Sequence, residues 1–328
     1  MNKQVWFVNM KNLKVAVTAW YLSSKGNLDA ASNDAERPTL AEQGEVAEKI
    51  GFDSFWLPES HFTGEYAIPS PLTLLAAVSS RTSRIRLGTT SYLLPIRHPL
   101  QAAEEVAVLD NLSNGRLILG IGRGFQNSIF AAFDVPTREK RKIFKANLQI
   151  MKDAWQGLPL AYDENNDAII LAPLPLQKPY PPIWVAAFGP LAIKQAGSLG
   201  LPYIASPVET MESLQSNYVR HQEHVIEAGH EKVETVPIMR TLFVSEDKAK
   251  VNEIRKNLQK EAAHRMRSDA SSSGEWTIIG DSAFVADKIA EYQEELGLTY
   301  LIARGRIPGL TNTEQIRSHE ALAKIVNL

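Results

Sequence analysis

The chain contains no cysteine among its 328 residues. Disulfides, thiolate nucleophiles and cysteine metal sites are excluded, and nothing calls for an oxidising compartment, so a cytoplasmic location is expected. Charge of one sign is also missing, because 35 Lys and Arg face 37 Asp and Glu for a formal charge of −2. No whole-protein field would gather nucleic acid or an anionic membrane, which leaves a small molecule as the expected ligand. Nowhere do about 18 apolar residues run without interruption, as a membrane span needs. The first dozen residues show neither the apolar core nor the small-residue cleavage site of a secretory leader. Two motifs are absent as well. No Gly-x-Ser-x-Gly elbow holds a nucleophilic serine, and the glycines at 120, 122 and 124 do not have the Gly-x-Gly-x-x-Gly spacing of a dinucleotide-binding turn.

What is present is material for a large core, with 44% hydrophobic residues and a mean hydropathy of −0.18. Short apolar runs at 13–20, 54–57, 85–90, 117–121, 183–187, 203–205, 237–244 and 300–303 alternate with amphipathic stretches at 37–50, 71–80, 99–112, 138–155, 190–199, 209–228, 246–266 and 283–296. Eight such alternations predict an α/β fold, a closed (β/α)8 TIM barrel with inserted loops. A doubly wound sheet is the alternative, since periodicity does not reveal strand order. Residues 1–12 read as an N-terminal tail and 13–328 as one domain. The connections at 157–182 and 268–281 are long enough to be lids or binding loops.

A barrel carries its chemistry at the C-terminal ends of its strands. After the second strand stand Glu59, Ser60 and His61. Neighbours on extended chain point opposite ways, so a hydrolase triad is not expected, and His61 has a structural reading as a hydrogen-bonded histidine. After the third come Thr90 and Ser91, polar groups that must bond to backbone or to a ligand, with Arg97 and His98 just ahead of a helix begun by Pro99. After the fourth, Gly122-Arg123-Gly124 suits either an anion site or tight turns around a surface charge. After the fifth, Phe188-Gly189-Pro190 sets backbone N–H groups at a helix start, where phosphate binds well. Arg304 and Arg306 follow the eighth strand as anion ligands or surface charges. His221, His224 and His230 have metal-like spacing but read as a solvated helix face.

The segments Leu57-Pro-Glu-Ser-His-Phe-Thr, Ile85-Arg-Leu-Gly-Thr-Thr, Leu94-Pro-Ile-Arg-His-Pro-Leu and Leu109-Asp-Asn-Leu-Ser-Asn-Gly-Arg-Leu to Gly120-Ile-Gly-Arg-Gly resemble the bacterial luciferase-like flavin monooxygenases. The resemblance implies a TIM barrel, usually a homodimer, that takes reduced FMN from a separate flavin reductase and uses oxygen to oxidise a small organic substrate. It implies that Arg123, with Gly122, binds the FMN phosphate, that Phe188 and Gly189 lie on the phosphate loop, and that Thr90 and Ser91 meet the isoalloxazine through a non-prolyl cis peptide. It directs the search for catalytic groups to Glu59, Ser60 and His61. Luciferases carry Glu-His-His-Phe where this chain has Glu59-Ser60-His61-Phe62, and the first histidine of that pair is the catalytic one. Ser60 cannot act as an imidazole base, so light emission is not expected, and His61 is either structural or the group that takes over. A deazaflavin-dependent dehydrogenase or reductase and a non-catalytic flavin-binding protein of the same fold are the alternative functions.

Overall fold

In the computed structural model, which describes residues 12–21, 37–64, 67–265 and 273–328, parallel strands alternate with helices along the chain. The strands are β1 (Lys14–Thr18), β2 (Ser54–Leu57), β3 (Arg86–Thr89), β4 (Tyr92–Leu93), β5 (Leu117–Gly122), β6 (Ala161–Tyr162), β7 (Ala168–Ile169), β8 (Ile183–Ala186), β9 (Tyr203–Ile204), β10 (Pro237–Val244), β11 (Thr277–Gly280) and β12 (Tyr300–Arg304). The helices are α1 (Leu40–Ile50), α2 (Pro71–Arg81), α3 (Pro99–Leu112), α4 (Asn127–Ala132), α5 (Lys140–Trp155), α6 (Pro190–Ser198), α7 (Met211–Glu227), α8 (Lys248–Arg265), α9 (Ser282–Leu296) and α10 (Asn312–Val326).

Eight of the strands form a TIM barrel in the order β1, β2, β3, β5, β8, β9, β10, β12, with β12 returning to β1. Every neighbouring pair shares a parallel ladder except β9 and β10, which lie side by side without one. Side chains close that seam. The Tyr218 hydroxyl donates to the Pro237 carbonyl at 2.7 Å and lies 3.3 Å from that of Tyr203. Arg240, fully buried, reaches from β10 to the Glu209 carbonyl at 2.7 Å and the Ser206 carbonyl at 3.4 Å, and gives its Nε–H to Tyr292 at 2.7 Å.

Alternate residues point inward, and Ala16, Trp56, Ile118, Trp184, Ile204, Met239, Tyr300 and Ile302 pack as the barrel interior. Trp56 stacks on Trp184 at 5.0 Å with Tyr300 edge-on to both. Below them a polar string runs from Trp56 Nε1 to Ser54 Oγ, at 2.5 Å, to the Tyr300 hydroxyl and on to Asp53. Further along the same strands, two residues on for Thr18, Ala186, Thr241 and Arg304 and four for Gly122, these side chains form the top layer. Most of these side chains are small.

The barrel and the strand runs agree with the sequence reading to within a few residues. Two helices were not foreseen. α10 opens on a capping box between Thr311 and Glu314, yet four of its seven buried positions, Asn312, Gln315, Ser318 and His319, are polar, which hides the apolar stripe. α4 is too short for periodicity to register, although Ile129 and Phe130 are buried. The connection at 157–182 contains the exposed hairpin β6–β7. That at 268–281 contains β11, buried throughout and paired with β10 from Thr241 to Val244; residues 268–272 lie outside the described residues. So does all but Asn12 of the expected tail.

Candidate active site

The polypeptide at the C-terminal ends of β2, β3, β5 and β8 brings most of the expected residues to one side of the mouth. Glu59 and His61 are two positions apart on extended chain, so they share a face, and the His61 Nε2 bonds the Glu59 Oε1 at 2.6 Å. A carboxylate only accepts, so Nε2 carries the hydrogen of this bond and Nδ1 is the other ring nitrogen. Ser60 points away and belongs to a backbone bridge. It exchanges main-chain bonds with Ile68 at 3.1 and 2.9 Å, and its Oγ accepts from the Ile68 N–H at 3.1 Å.

The third strand is interrupted. Gly88 pairs with Ile118 and Tyr92 with Ile121, so four steps on one strand match three on the other, a bulge. The Thr90–Ser91 peptide within it is cis. The Thr90 N–H is held by the Leu57 carbonyl at 2.8 Å, and Thr89 Oγ1 donates to the Gly120 carbonyl at 2.8 Å. This bulge explains two of the glycines. A Cβ on Gly120 would lie 1.8 Å from the Thr89 carbonyl oxygen, and one on Gly122 would lie 2.0 Å from Ser91 Oγ. The glycines thus admit the bulged strand.

Arg123 leaves β5 half-buried, with its pKa lowered by burial and further by the nearby Arg141 charge. Lys140, which opens α5, is likewise lowered by burial, then by Arg123 and Arg141. Its Nζ donates to the Gly124 carbonyl at 3.2 Å. Among the described residues no carboxylate forms an ion pair with any of these three cations. The cluster neighbours α6 in two places: Gly122, just before Arg123, pairs with Ala186 on the strand that leads into the helix, and in the second half of the helix Gln195 Nε2 donates to the Arg141 carbonyl at 3.4 Å. Gly189, at φ 81°, is the N-cap of α6, and a Cβ built there meets nothing within 4 Å. Three neighbouring positive charges without a carboxylate partner have the chemistry to receive an anion. Phe188 at 71% exposure, Phe125 at 83% and Phe62 at 69% rim the same end.

Sequence reasoning missed Lys140 and Arg141, which stand among the many cations of a polar helix face, and it missed the place of Arg97. Arg97 is not merely a residue before a helix. Its Nη2 bonds Glu59 Oε1 at 2.8 Å, its Nη1 donates to the Leu93 carbonyl at 2.8 Å, and its guanidinium lies 3.8 Å over the Tyr92 ring. Arg304, on the inward face of β12, bonds Thr241 Oγ1 at 3.4 Å. His221 is buried and bonds the Leu201 carbonyl at 2.9 Å, His224 pairs with Glu227, and His230 packs on Gly200. They do not converge, and His221 is not on a solvated face. Among the described residues no group of His, Cys, Asp and Glu could hold a metal ion, and no helix is long and apolar enough to cross a membrane.

The chain is 30% identical over 192 residues to the oxygenase component of a flavin-dependent trigonelline monooxygenase from Acinetobacter baylyi, covering 55% of this chain and 52% of that one. It is 28% identical over 198 residues to the alkanal monooxygenase alpha chain of Photorhabdus laumondii, covering 58% and 54%. The matched stretch therefore spans about half the length of these relatives. In structure it is similar to the monooxygenase RslO1 from Streptomyces bottropensis, with a TM-score of 0.79 at 23% identity over 95% of this chain and 98% of that one. It is also similar to the oxygenating constituent of 3,6-diketocamphane monooxygenase from Pseudomonas putida, solved in complex with FMN, with a TM-score of 0.77 at 18% identity over 96% and 98%. A coenzyme F420-dependent tetrahydromethanopterin reductase from Methanopyrus kandleri shares the fold with a TM-score of 0.71 at 19% identity over 96% and 99%. The luciferase-like monooxygenase model matches residues 19–299, well over half of the sequence, and the chain belongs to that family.

Proposed function

We propose that the protein is the oxygenase of a two-component system, binding reduced FMN delivered by a separate reductase and using oxygen to oxidise a small organic substrate. The observation that carries this reading is the cation cluster of Arg123, Lys140 and Arg141, with Arg123 following the Gly122–Ala186 pairing that leads β8 towards α6. A terminal phosphate is a compact dianion, and such a cluster fits it in charge and in the open backbone at Gly189. Reduced FMN, when bound, supplies the two electrons that let one oxygen atom enter the substrate while the other leaves as water.

The chain's own residues do the rest. Arg123, Lys140 and Arg141 anchor the phosphate end, and the Thr90–Ser91 bulge forms the wall against which the ring system is oriented. Above the tryptophan floor the top layer at Ala186 is small, while the space at Gly122 is taken by Ser91 of the bulge. Exposed Phe62 and Phe188 give the mouth an apolar rim that excludes water and suits an apolar part of the substrate. His61, through Nδ1, accepts or returns the proton that accompanies oxygen transfer, with Glu59 orienting the ring from Nε2. Ser60 has its hydroxyl committed to the Ile68 N–H and serves the loop.

The fold shared with F420-dependent enzymes supports a second reading, a deazaflavin-dependent dehydrogenase or reductase. Anaerobic titration with reduced FMN and, separately, with reduced F420, followed by admission of oxygen and a substrate screen, separates the two. Tighter binding of reduced FMN and oxygen uptake coupled to substrate oxidation is the expected result. Preference for F420 without oxygen uptake would overturn the proposal, and FMN binding with no turnover of any substrate would favour a binding protein.

A further inference from the structure

The Glu59 side chain is fully buried. A carboxylate in that position requires a counter-charge and partners for both oxygens. Oε2 accepts from the Leu93 N–H at 2.9 Å, while Oε1 accepts twice, from His61 Nε2 at 2.6 Å and from Arg97 Nη2 at 2.8 Å. Two cationic candidates thus meet one oxygen, and they differ in kind. A guanidinium keeps its proton at every working pH, whereas an imidazole exchanges it.

Arg97 is itself fixed from several directions. Its plane lies on Tyr92, whose hydroxyl donates to Glu105 at 2.8 Å. Its Nη1 is held by the Leu93 carbonyl, and its own carbonyl receives Asn147 Nδ2 at 3.1 Å. Among the described residues the charged groups around His61 are Glu59 and, through it, Arg97; the other packed faces are the rings of Phe62 and Phe133, at 5.8 and 5.2 Å.

From this arrangement we infer that Arg97 is a positioning residue, which supplies the counter-charge of Glu59 so that His61 serves the carboxylate only as an Nε2–H donor and keeps Nδ1 for proton transfer. The inference rests on the reading of His61 as the proton-handling group of the flavin site. Without Arg97, His61 becomes the nearest counter-charge for the buried carboxylate, and its fixed donor–acceptor pattern is lost.

Nitrogen NMR of the apo protein labelled with 15N-histidine tests this without any flavin, with the His61 signals assigned by His61→Gln. The wild type is expected to show one neutral ring protonated on Nε2. Arg97→Ala should replace that pattern with a second tautomer or a doubly protonated ring, and Arg97→Lys should restore it. Should Arg97→Ala fail to fold, Arg97→Gln reads the same signal. In the loaded enzyme Arg97→Ala should lower kcat by about 10- to 100-fold, the range for losing the partner of an oriented imidazole, with little change in KM. An unchanged His61 pattern in Arg97→Ala, or a wild-type ring protonated on Nδ1 alone, would overturn the inference. The expected pattern in a protein that binds no reduced FMN would uphold the link between Arg97 and the imidazole and bring down the flavin reading instead.

Discussion

Replacing Arg123 by alanine should move affinity and stability in opposite directions. Arg123 is half-buried and stands near Arg141 and Lys140 with no carboxylate paired to it among the described residues. In the free protein it therefore bears desolvation and like-charge repulsion together. Burial and Arg141 lower its pKa, but a guanidinium keeps its proton at neutral pH in folded and unfolded chains alike, so the cost is independent of pH there. Removing the charge should raise the stability of the free protein by a few tenths to about 1 kcal/mol. The bound anion, in contrast, loses a charge-assisted contact of about 1.5 to 3 kcal/mol, which is a dissociation constant raised roughly 10- to 150-fold. Anaerobic titration with reduced FMN measures the second effect, and denaturant unfolding with and without inorganic phosphate measures the first. Phosphate should stabilise the wild type by mass action and the variant much less. A variant that loses more than about 1 kcal/mol as free protein, or that binds FMN with unchanged affinity, would show that Arg123 is a structural residue and refute the reasoning.

The remaining predictions concern the scaffold. His319 is buried between Trp20 and Phe52 with Nδ1 unbonded, and burial pushes its pKa down to about 3. The unfolded chain binds that proton first, so the contribution of neutral His319 is complete above about pH 6.5 and is lost as pH falls towards 3, on the order of 4 kcal/mol at full titration; acid unfolding of His319→Phe should show a shallower pH dependence. In Gly88→Ala the new methyl would sit 2.2 Å from the Trp56 indole, which is stacked on Trp184 and cannot retreat. A loss of about 1 to 3 kcal/mol and altered near-ultraviolet dichroism are expected. Arg240→Met should cost about 3 to 5 kcal/mol, read by denaturant midpoint, because it opens the unladdered seam and strips the buried Glu209, whose pKa burial already raises, of its opposing charge.

The barrel was legible because strands buried on both faces read as short apolar runs, and residues 54–57 and 237–244 match their strands to the residue. Polar burial is what hid the rest. α10 turns Gln315, Ser318 and His319 inward, so its stripe does not look apolar, and β11 is buried within a serine- and glycine-bearing segment. At the site, the strand-end rule singled out Glu59, His61, Thr90, Ser91, Arg123 and Gly189, since each follows its strand directly. Lys140 and Arg141 come to Arg123 across the α4 segment, and Arg97 comes to Glu59 from another loop. Those meetings are tertiary, and no local spacing encodes them. His61 illustrates the gain: as a sequence position it was equally a core histidine or a base, whereas its bond to Glu59 and its place beside Phe62 and Phe133 give it an oriented ring at the mouth.

Several departures from ordinary folding rules gather at one end of the barrel. Like charges meet at Arg123, Lys140 and Arg141, large aromatic rings face solvent at Phe62, Phe125 and Phe188, and Phe62 holds a left-handed backbone at φ 57°. A bulge breaks the third strand at Thr90 and Ser91, and glycines occupy β5 where it passes that bulge. All of these lie at the C-terminal ends of β2 to β8. The opposite end has a different character, with the string of Trp56, Ser54, Tyr300 and Asp53 satisfying its polar atoms under a stacked pair of tryptophans. Natural chains tolerate local conflict where binding or chemistry repays it. A surface kept only for solubility or packing has no need to gather cations without a carboxylate partner beside exposed rings, and that pairing supports the proposed binding of an anionic, partly apolar ligand.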